Sequence, residues 1–196
     1  MIYGLFGLPR SGKTYIASAW GLRALRKGRR VYANYPLKGA SFFDAEGFGN
    51  TFFVEAGSVV ILDEVQWIAN SRRWQELSDA VYFLFSQGGK WAIDLVYTAQ
   101  HPARVDKALR EVSHWWIWVE RFFGRVVFAD WYMSEYEFMA GRRYQRDVVL
   151  LSPRVWKRYD TSFFVKNSSF VVEGGPMPVW VREGDGWELR YSDNGV

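Results

Sequence analysis

The chain has 196 residues, no cysteine, and 25 Lys and Arg against 21 Asp and Glu, for a formal charge of +4. That length fits one domain, with at most an appendage, and is ample for a buried core. The composition excludes disulfides, thiolate zinc sites and a cysteine nucleophile, and the small basic excess permits nucleic acid or anionic lipid as partners without requiring either. Ile2 to Phe6 reads as a buried strand. It runs into Gly7, Leu8, Pro9, Arg10, Ser11, Gly12, Lys13 and Thr14, a complete G-x-x-x-x-G-K-[ST] phosphate-binding loop. Gly12 to Lys27 reads as a helix with Tyr15, Ala19, Leu22 and Leu25 on one stripe, ended by Gly28. Arg23, Arg26 and Lys27 complement the negative end of its dipole, which favours a solvated helix end over a nucleic-acid contact.

Val31 to Asn34 is a short strand, and 36–50, rich in Gly and Phe, reads as a loop. Ser58 to Asp63 contains Val59-Val60-Ile61-Leu62, an apolar run of the kind buried on both faces in a parallel sheet. Asn70 or Ser71 then caps a helix bearing Trp74, Leu77, Val81, Leu84 and Phe85, which Gly88-Gly89 stops. Trp91 to Thr98 is the next strand and delivers Gln100 at its end, before a short helix around Val105 to Val112. This alternation predicts a three-layer α/β domain, a P-loop NTPase with a mainly parallel sheet, over residues 1–113.

Residues 114–196 read as an aromatic, β-rich C-terminal extension packed on that core, so that the whole forms one compact domain. Trp115 to Phe122 and Arg125 to Trp131 form a hairpin, with short strands at Val148–Ser152, Phe170–Val172, Val179–Arg182 and Trp187–Tyr191. The polar stretch 133–147 is either helix or exposed loop. The chain's 11 Trp, 11 Tyr and 15 Phe point to a thick core or a subunit interface. His114 to Met133 is the most hydrophobic stretch, but Glu120, Arg121, Arg125 and Asp130 keep it from crossing a bilayer as one helix. No secretory signal is expected at the N-terminus.

The chemistry follows from the loop. Its glycines let backbone N–H groups turn toward a β-phosphate, and the helix that begins there aims its positive end at the same anion. Lys13 is placed to reach the β and γ oxygens, and Thr14 to ligate Mg²⁺. Asp63, at the end of a buried strand, has the setting of a Walker B acid that holds the same Mg²⁺. Glu64 follows at once and can orient or deprotonate the attacking water; in isolation the pair would read as a helix N-cap or solvated turn. Gln100 can hydrogen-bond both that water and the γ-phosphate. Arg72, Arg73, Arg104 and Arg110 are candidates for a further cation on the transition state, although each alone reads as a surface ion-pair partner. His101 and His114 are too scattered for a metal cluster.

Gly-Leu-Pro-Arg-Ser-Gly-Lys-Thr-Tyr at 7 to 15, Val-Tyr-Ala-Asn at 31 to 34, Leu-Asp-Glu-Val-Gln at 62 to 66, and Tyr-Thr-Ala-Gln at 97 to 100 followed by Val-Asp-Lys-Ala-Leu-Arg at 105 to 110 resemble the zonular occludens toxin (Zot) family of filamentous-phage assembly ATPases. Tyr159-Asp160-Thr161 looks like a later landmark. The resemblance implies an ATPase akin to the FtsK/HerA motors at the cytoplasmic face of the host inner membrane, driving extrusion of single-stranded phage DNA as it acquires coat protein. It implies ATP and Mg²⁺ as cofactors, a nucleotide-binding segment from Gly7 through Tyr15, Lys13 and Thr14 on phosphate and metal, Asp63 as Walker B, Glu64 as catalytic acid and Gln100 as sensor. It further implies a homo-oligomeric ring, usually hexameric, with an arginine crossing between subunits, for which Arg110 and Arg72 rank first. Family members continue into a transmembrane helix and a periplasmic part that this chain lacks, so it reads as a fragment or as a soluble relative. A viral DNA-packaging ATPase, a P-loop small-molecule kinase and a nucleotide-stabilised interaction module remain alternatives, whereas the absent Asn-Lys-x-Asp motif argues against a Ras-type GTPase.

Overall fold

Strands that are apolar on both faces need neighbours on both sides. A computed structural model describes residues 1–43, 54–67, 87–159, 177–183 and 186–192. In it β1 (Ile2–Phe6), β2 (Val31–Ala33), β3 (Ser41–Phe42), β4 (Val59–Leu62), β5 (Asp94–Ala99), β6 (Trp115–Phe123), β7 (Val126–Tyr132) and β8 (Gln145–Leu150) make one sheet. Their order is β3-β2-β4-β5-β1-β6-β7-β8. Pairing is parallel from β3 through β6 and antiparallel across β6–β7 and β7–β8. The α/β class and the mainly parallel sheet are those expected.

The register aligns Phe6 with Ala99 and Leu62 with Tyr97. Because these strands are parallel, the loop after β1, the acids after β4 and Gln100 after β5 all emerge at one edge, where open α/β sheets bind ligands. The strand that bears Gln100 lies between the strands that bear the loop and the acids.

Helix α1 (Lys13–Arg26) covers one face of the sheet. Its buried side chains include Tyr15, Ile16, Ala17, Ser18, Leu22 and Ala24, whereas Ala19 and Leu25 are only partly buried. The face in contact is broader than the single stripe expected, because a helix lying flat on a sheet buries residues on both sides of its centre line. The opposite face buries Phe6, Tyr97 and Trp116 together with Val105, Leu109 and the partly buried Phe138. Phe138 comes from a short helix, Glu135–Met139, capped by the Ser134 side chain, which accepts the Glu137 N–H. The stretch 133–147 therefore holds both a helix and the start of β8.

Two strands start three residues from where the sequence places them. Trp91 belongs to a 3-10 turn, Gly88–Trp91, and β5 starts only at Asp94. Ala92 breaks the chain direction at φ 54°, and Arg29 locks the corner by donating to the carbonyls of Gly57 (2.6 Å) and Ser58 (2.9 Å) and to Asp94 (2.6 Å). At the other end, the strand expected at Val148–Ser152 runs from Gln145 to Leu150, because Ser152 caps the short helix Pro153–Trp156. β6 pairs directly with β1, so the sheet continues through the start of the C-terminal region without a break. Met177–Glu183 and Gly186–Ser192 form a separate antiparallel hairpin, which contains the strands expected at 179–182 and 187–191. The helix expected between Asn70 and Gly88 and the strand at 170–172 lie outside the described residues. Among the described residues no helix is long and apolar enough to cross a membrane.

Candidate active site

The loop after β1 has the backbone geometry its glycines allow. Gly7 has φ 148°, Arg10 φ 64° and Gly12 φ 106°, all left-handed values. A Cβ on Gly7 would lie 2.2 Å from the Val119 carbonyl oxygen of β6, so this turn exists only because position 7 has no side chain. Leu8, Pro9 and Arg10 form the exposed tip. Ser11 is buried, and its Oγ has no hydrogen-bond partner. Lys13 is buried as well, and its Nζ donates to the carbonyls of Gly7 (2.8 Å) and Leu8 (3.0 Å). Burial lowers the Lys13 pKa, an effect that nearby Glu64 and Asp63 oppose. An ammonium folded onto its own loop, beside an orphaned buried hydroxyl, fits a cradle for an anion.

Tyr15 differs from the rest of the nucleotide-binding segment. Its ring is buried against Trp156 (centroids 6.0 Å apart), and its hydroxyl accepts the Ser152 N–H at 2.7 Å. The side chain thus ties α1, just after the phosphate loop, to the chain after β8.

Asp63 is the hub of the acidic side. The Thr14 hydroxyl lies 3.0 and 3.2 Å from its two carboxylate oxygens, and the Thr98 hydroxyl donates to Oδ1 at 2.6 Å. Asn34 clamps its backbone from the neighbouring strand end, accepting the Asp63 N–H at 2.7 Å and donating to the Asp63 carbonyl at 3.0 Å. Burial raises the Asp63 pKa to about 6, and adjacent Glu64 adds to the rise, while the two threonine hydroxyls and Lys13 oppose it. A half-buried carboxylate beside a threonine hydroxyl is a donor set that suits a hard divalent cation such as Mg²⁺.

Glu64 has φ 51°, unusual for a residue with a side chain, and its N–H donates to the Thr98 hydroxyl at 2.9 Å. Gln66, itself buried, donates from Nε2 to the Glu64 carboxylate. The expected constellation of Lys13, Thr14, Asp63 and Glu64 is thus assembled at one edge. Thr98 and Asn34 escaped the sequence reading. Their signal was a polar residue inside an otherwise apolar strand, in Tyr-Thr-Ala-Gln and Val-Tyr-Ala-Asn.

Gln100 is half-buried at the end of β5, and its Oε1 accepts from Arg104 at 2.5 Å. Arg110 stands elsewhere. Its guanidinium is paired with Glu135 of the short helix on the opposite face, and no contact links it to Lys13, Asp63 or Glu64 among the described residues. Within the chain, therefore, Arg110 is an ion-pair partner. Arg72 lies outside the described residues, as does Arg73. The two histidines are structural: His101 caps the 3-10 turn Pro102–Arg104, and His114 Nδ1 accepts the Ile2 N–H at 3.1 Å.

The Zonular occludens toxin (Zot) family model matches residues 41–122. The crystal structure of the N-terminal domain of zonular occludens toxin from Neisseria meningitidis superposes with a TM-score of 0.61 at 19% identity, over 82% of this chain and 98% of that one. The genome packaging NTPase B204 from Sulfolobus turreted icosahedral virus 2 is more distant. Its sulfate complex gives a TM-score of 0.48 at 10% identity, over 75% of this chain and 94% of that one. Its complex with ATP-gammaS gives 0.47 at 12% identity, over 62% and 75%. No curated protein matches the chain. The resemblance read from the motifs thus has two findings beside it, a match to the Zot family's sequence pattern across residues 41–122 and a fold similar to that of the Zot N-terminal domain.

Proposed function

We propose that the chain is an ATP-hydrolysing motor domain that works in the assembly and extrusion of a filamentous phage. The observation that carries this reading is the convergence of Lys13, Thr14, Asp63, Glu64 and Gln100 on one sheet edge, with Asp63 and Thr14 in direct hydrogen bond. A binding module needs the first three; the acid and the amide beyond them are what water activation requires.

In this reading Lys13 leaves the carbonyls of Gly7 and Leu8 for the phosphate oxygens, and the loop N–H groups and the Ser11 hydroxyl line the cradle. Thr14 and Asp63 would hold Mg²⁺, which neutralises charge on the β- and γ-phosphates when bound. Glu64 accepts the proton of the attacking water, and Gln100 contacts the γ-phosphate. Positive charge for the transition state comes from an arginine of the next subunit of a ring, Arg110 or Arg72 being the candidates. Coat protein and single-stranded DNA are the moved partners.

The test is the ATPase rate per subunit against protein concentration, with and without single-stranded DNA. A ring motor gives a rate that rises cooperatively with concentration and again with DNA. A rate indifferent to both would sink the motor reading while leaving a nucleotide hydrolase.

A further inference from the structure

Gln100 is an amide, and an amide has two ends with opposite hydrogen-bonding character. A side chain that contacts a γ-phosphate must present its NH₂, and nothing in the residue's own chemistry prevents it from rotating to present the oxygen instead. The neighbourhood decides. Arg104 Nη1 donates to Gln100 Oε1 at 2.5 Å, which commits the oxygen, and among the described residues the NH₂ has no hydrogen-bond partner. Arg104 is otherwise unengaged: among the described residues no carboxylate pairs with its exposed guanidinium, and Gln100 is its hydrogen-bond partner.

The backbone that carries Arg104 is fixed by elements with no stake in a phosphate. Pro102 and Val105 are buried on either side of it, the His101 side chain caps the turn by accepting the Ala103 N–H at 3.1 Å, and the Arg104 N–H closes the turn onto the His101 carbonyl at 3.1 Å. The turn therefore returns the guanidinium to a residue four positions earlier, at the sheet edge where the acids stand.

We propose that Arg104 is a positioning residue for Gln100, holding its carbonyl oxygen so that the amide NH₂ faces the γ-phosphate and its polarised N–H groups donate more strongly. The inference rests on the hydrolytic reading of the site. It is separate from the arginine supplied by another subunit, since Arg104 acts on its own chain and through a neutral amide. Loss of the γ-phosphate would free the Gln100 amide, and the Pro102–Arg104 turn is the first element to register that release.

The experiment measures kcat for ATP, and nucleotide Kd by a fluorescent ATP analogue, for wild type, Arg104→Ala, Arg104→Lys, Gln100→Ala and the Arg104→Ala/Gln100→Ala double variant. The expectation is a fall in kcat of about tenfold for Arg104→Ala, with Kd within about twofold of wild type and partial recovery in Arg104→Lys. The double variant should be no slower than Gln100→Ala alone, because a residue that acts through Gln100 has nothing left to position. Wild-type kcat in Arg104→Ala, effects that multiply in the double variant, or a loss confined to Kd would each overturn the proposal. An inactive wild type would instead overturn the hydrolytic reading on which it stands.

Discussion

Thr98 serves two residues with one hydroxyl, donating to the Asp63 carboxylate and accepting the Glu64 N–H, and it is fully buried in doing so. Thr98→Val keeps the shape and removes both bonds, leaving the half-buried Glu64 N–H unpaired and, among the described residues, only Thr14 bonded to the Asp63 carboxylate. We expect a loss of about 1–3 kcal/mol in urea unfolding and a fall in ATPase rate of about tenfold or more, since both acids lose their orientation. Asp63 carries a second prediction. Its folded pKa of about 6 exceeds the unfolded 3.8, so the native state binds this proton more tightly. The contribution to stability is complete below the unfolded value and is lost as pH rises through about 6. Asp63→Asn still offers an oxygen to both hydroxyls and never ionises. Without metal or nucleotide it should unfold up to about 3 kcal/mol harder than wild type near pH 7.5, with the difference fading toward pH 4, and it should be inactive. Equal stability at both pH values would mean that the carboxylate is not strained by burial.

At the scale of elements, the loop shows why some of the site could be read from sequence and some could not. Gly7 to Thr14 is contiguous, so its requirements for backbone freedom, a lysine and a hydroxyl are written side by side. Asp63 and Glu64 were legible because a strand buried on both faces announces its own end. Asn34, Thr98, Gln66 and Arg104 act across strand pairs or turns, and only the register tells which strand end meets which. Arg110 was legible only as a cation after β5; its pairing with Glu135 depends on the helix that folds back beside it. Tyr15 follows the loop directly, and its ring is buried between α1 and the chain after β8. Gly7→Ala is the prediction at this scale. A Cβ 2.2 Å from the Val119 carbonyl forces β1 and β6 apart, so the variant should lose several kcal/mol of stability or fail to fold, read by thermal unfolding. Gly124→Ala, at a hairpin tip with open space around it, should cost only about 1 kcal/mol through its φ of 51°.

For the whole molecule, strand order is what turns separate motifs into a site. β5 between β1 and β4 puts Gln100 between the phosphate loop and the acids, and the parallel register brings all three to one edge. The opposite edge is closed by the N-terminal amine and Arg29, which share Asp94. Burial pushes the Asp94 carboxyl up, and those two cations outweigh it and hold it below the usual range. Hydrolysis is the claim on which the rest depends. Its most direct measurement is phosphate release from ATP with Mg²⁺, in wild type and in Glu64→Gln, alongside ATP binding by each. The account predicts release by wild type, a loss of about a hundredfold or more in Glu64→Gln, and undiminished ATP binding by that variant. Equal release by the two proteins, or none from wild type in any oligomeric state, would contradict it.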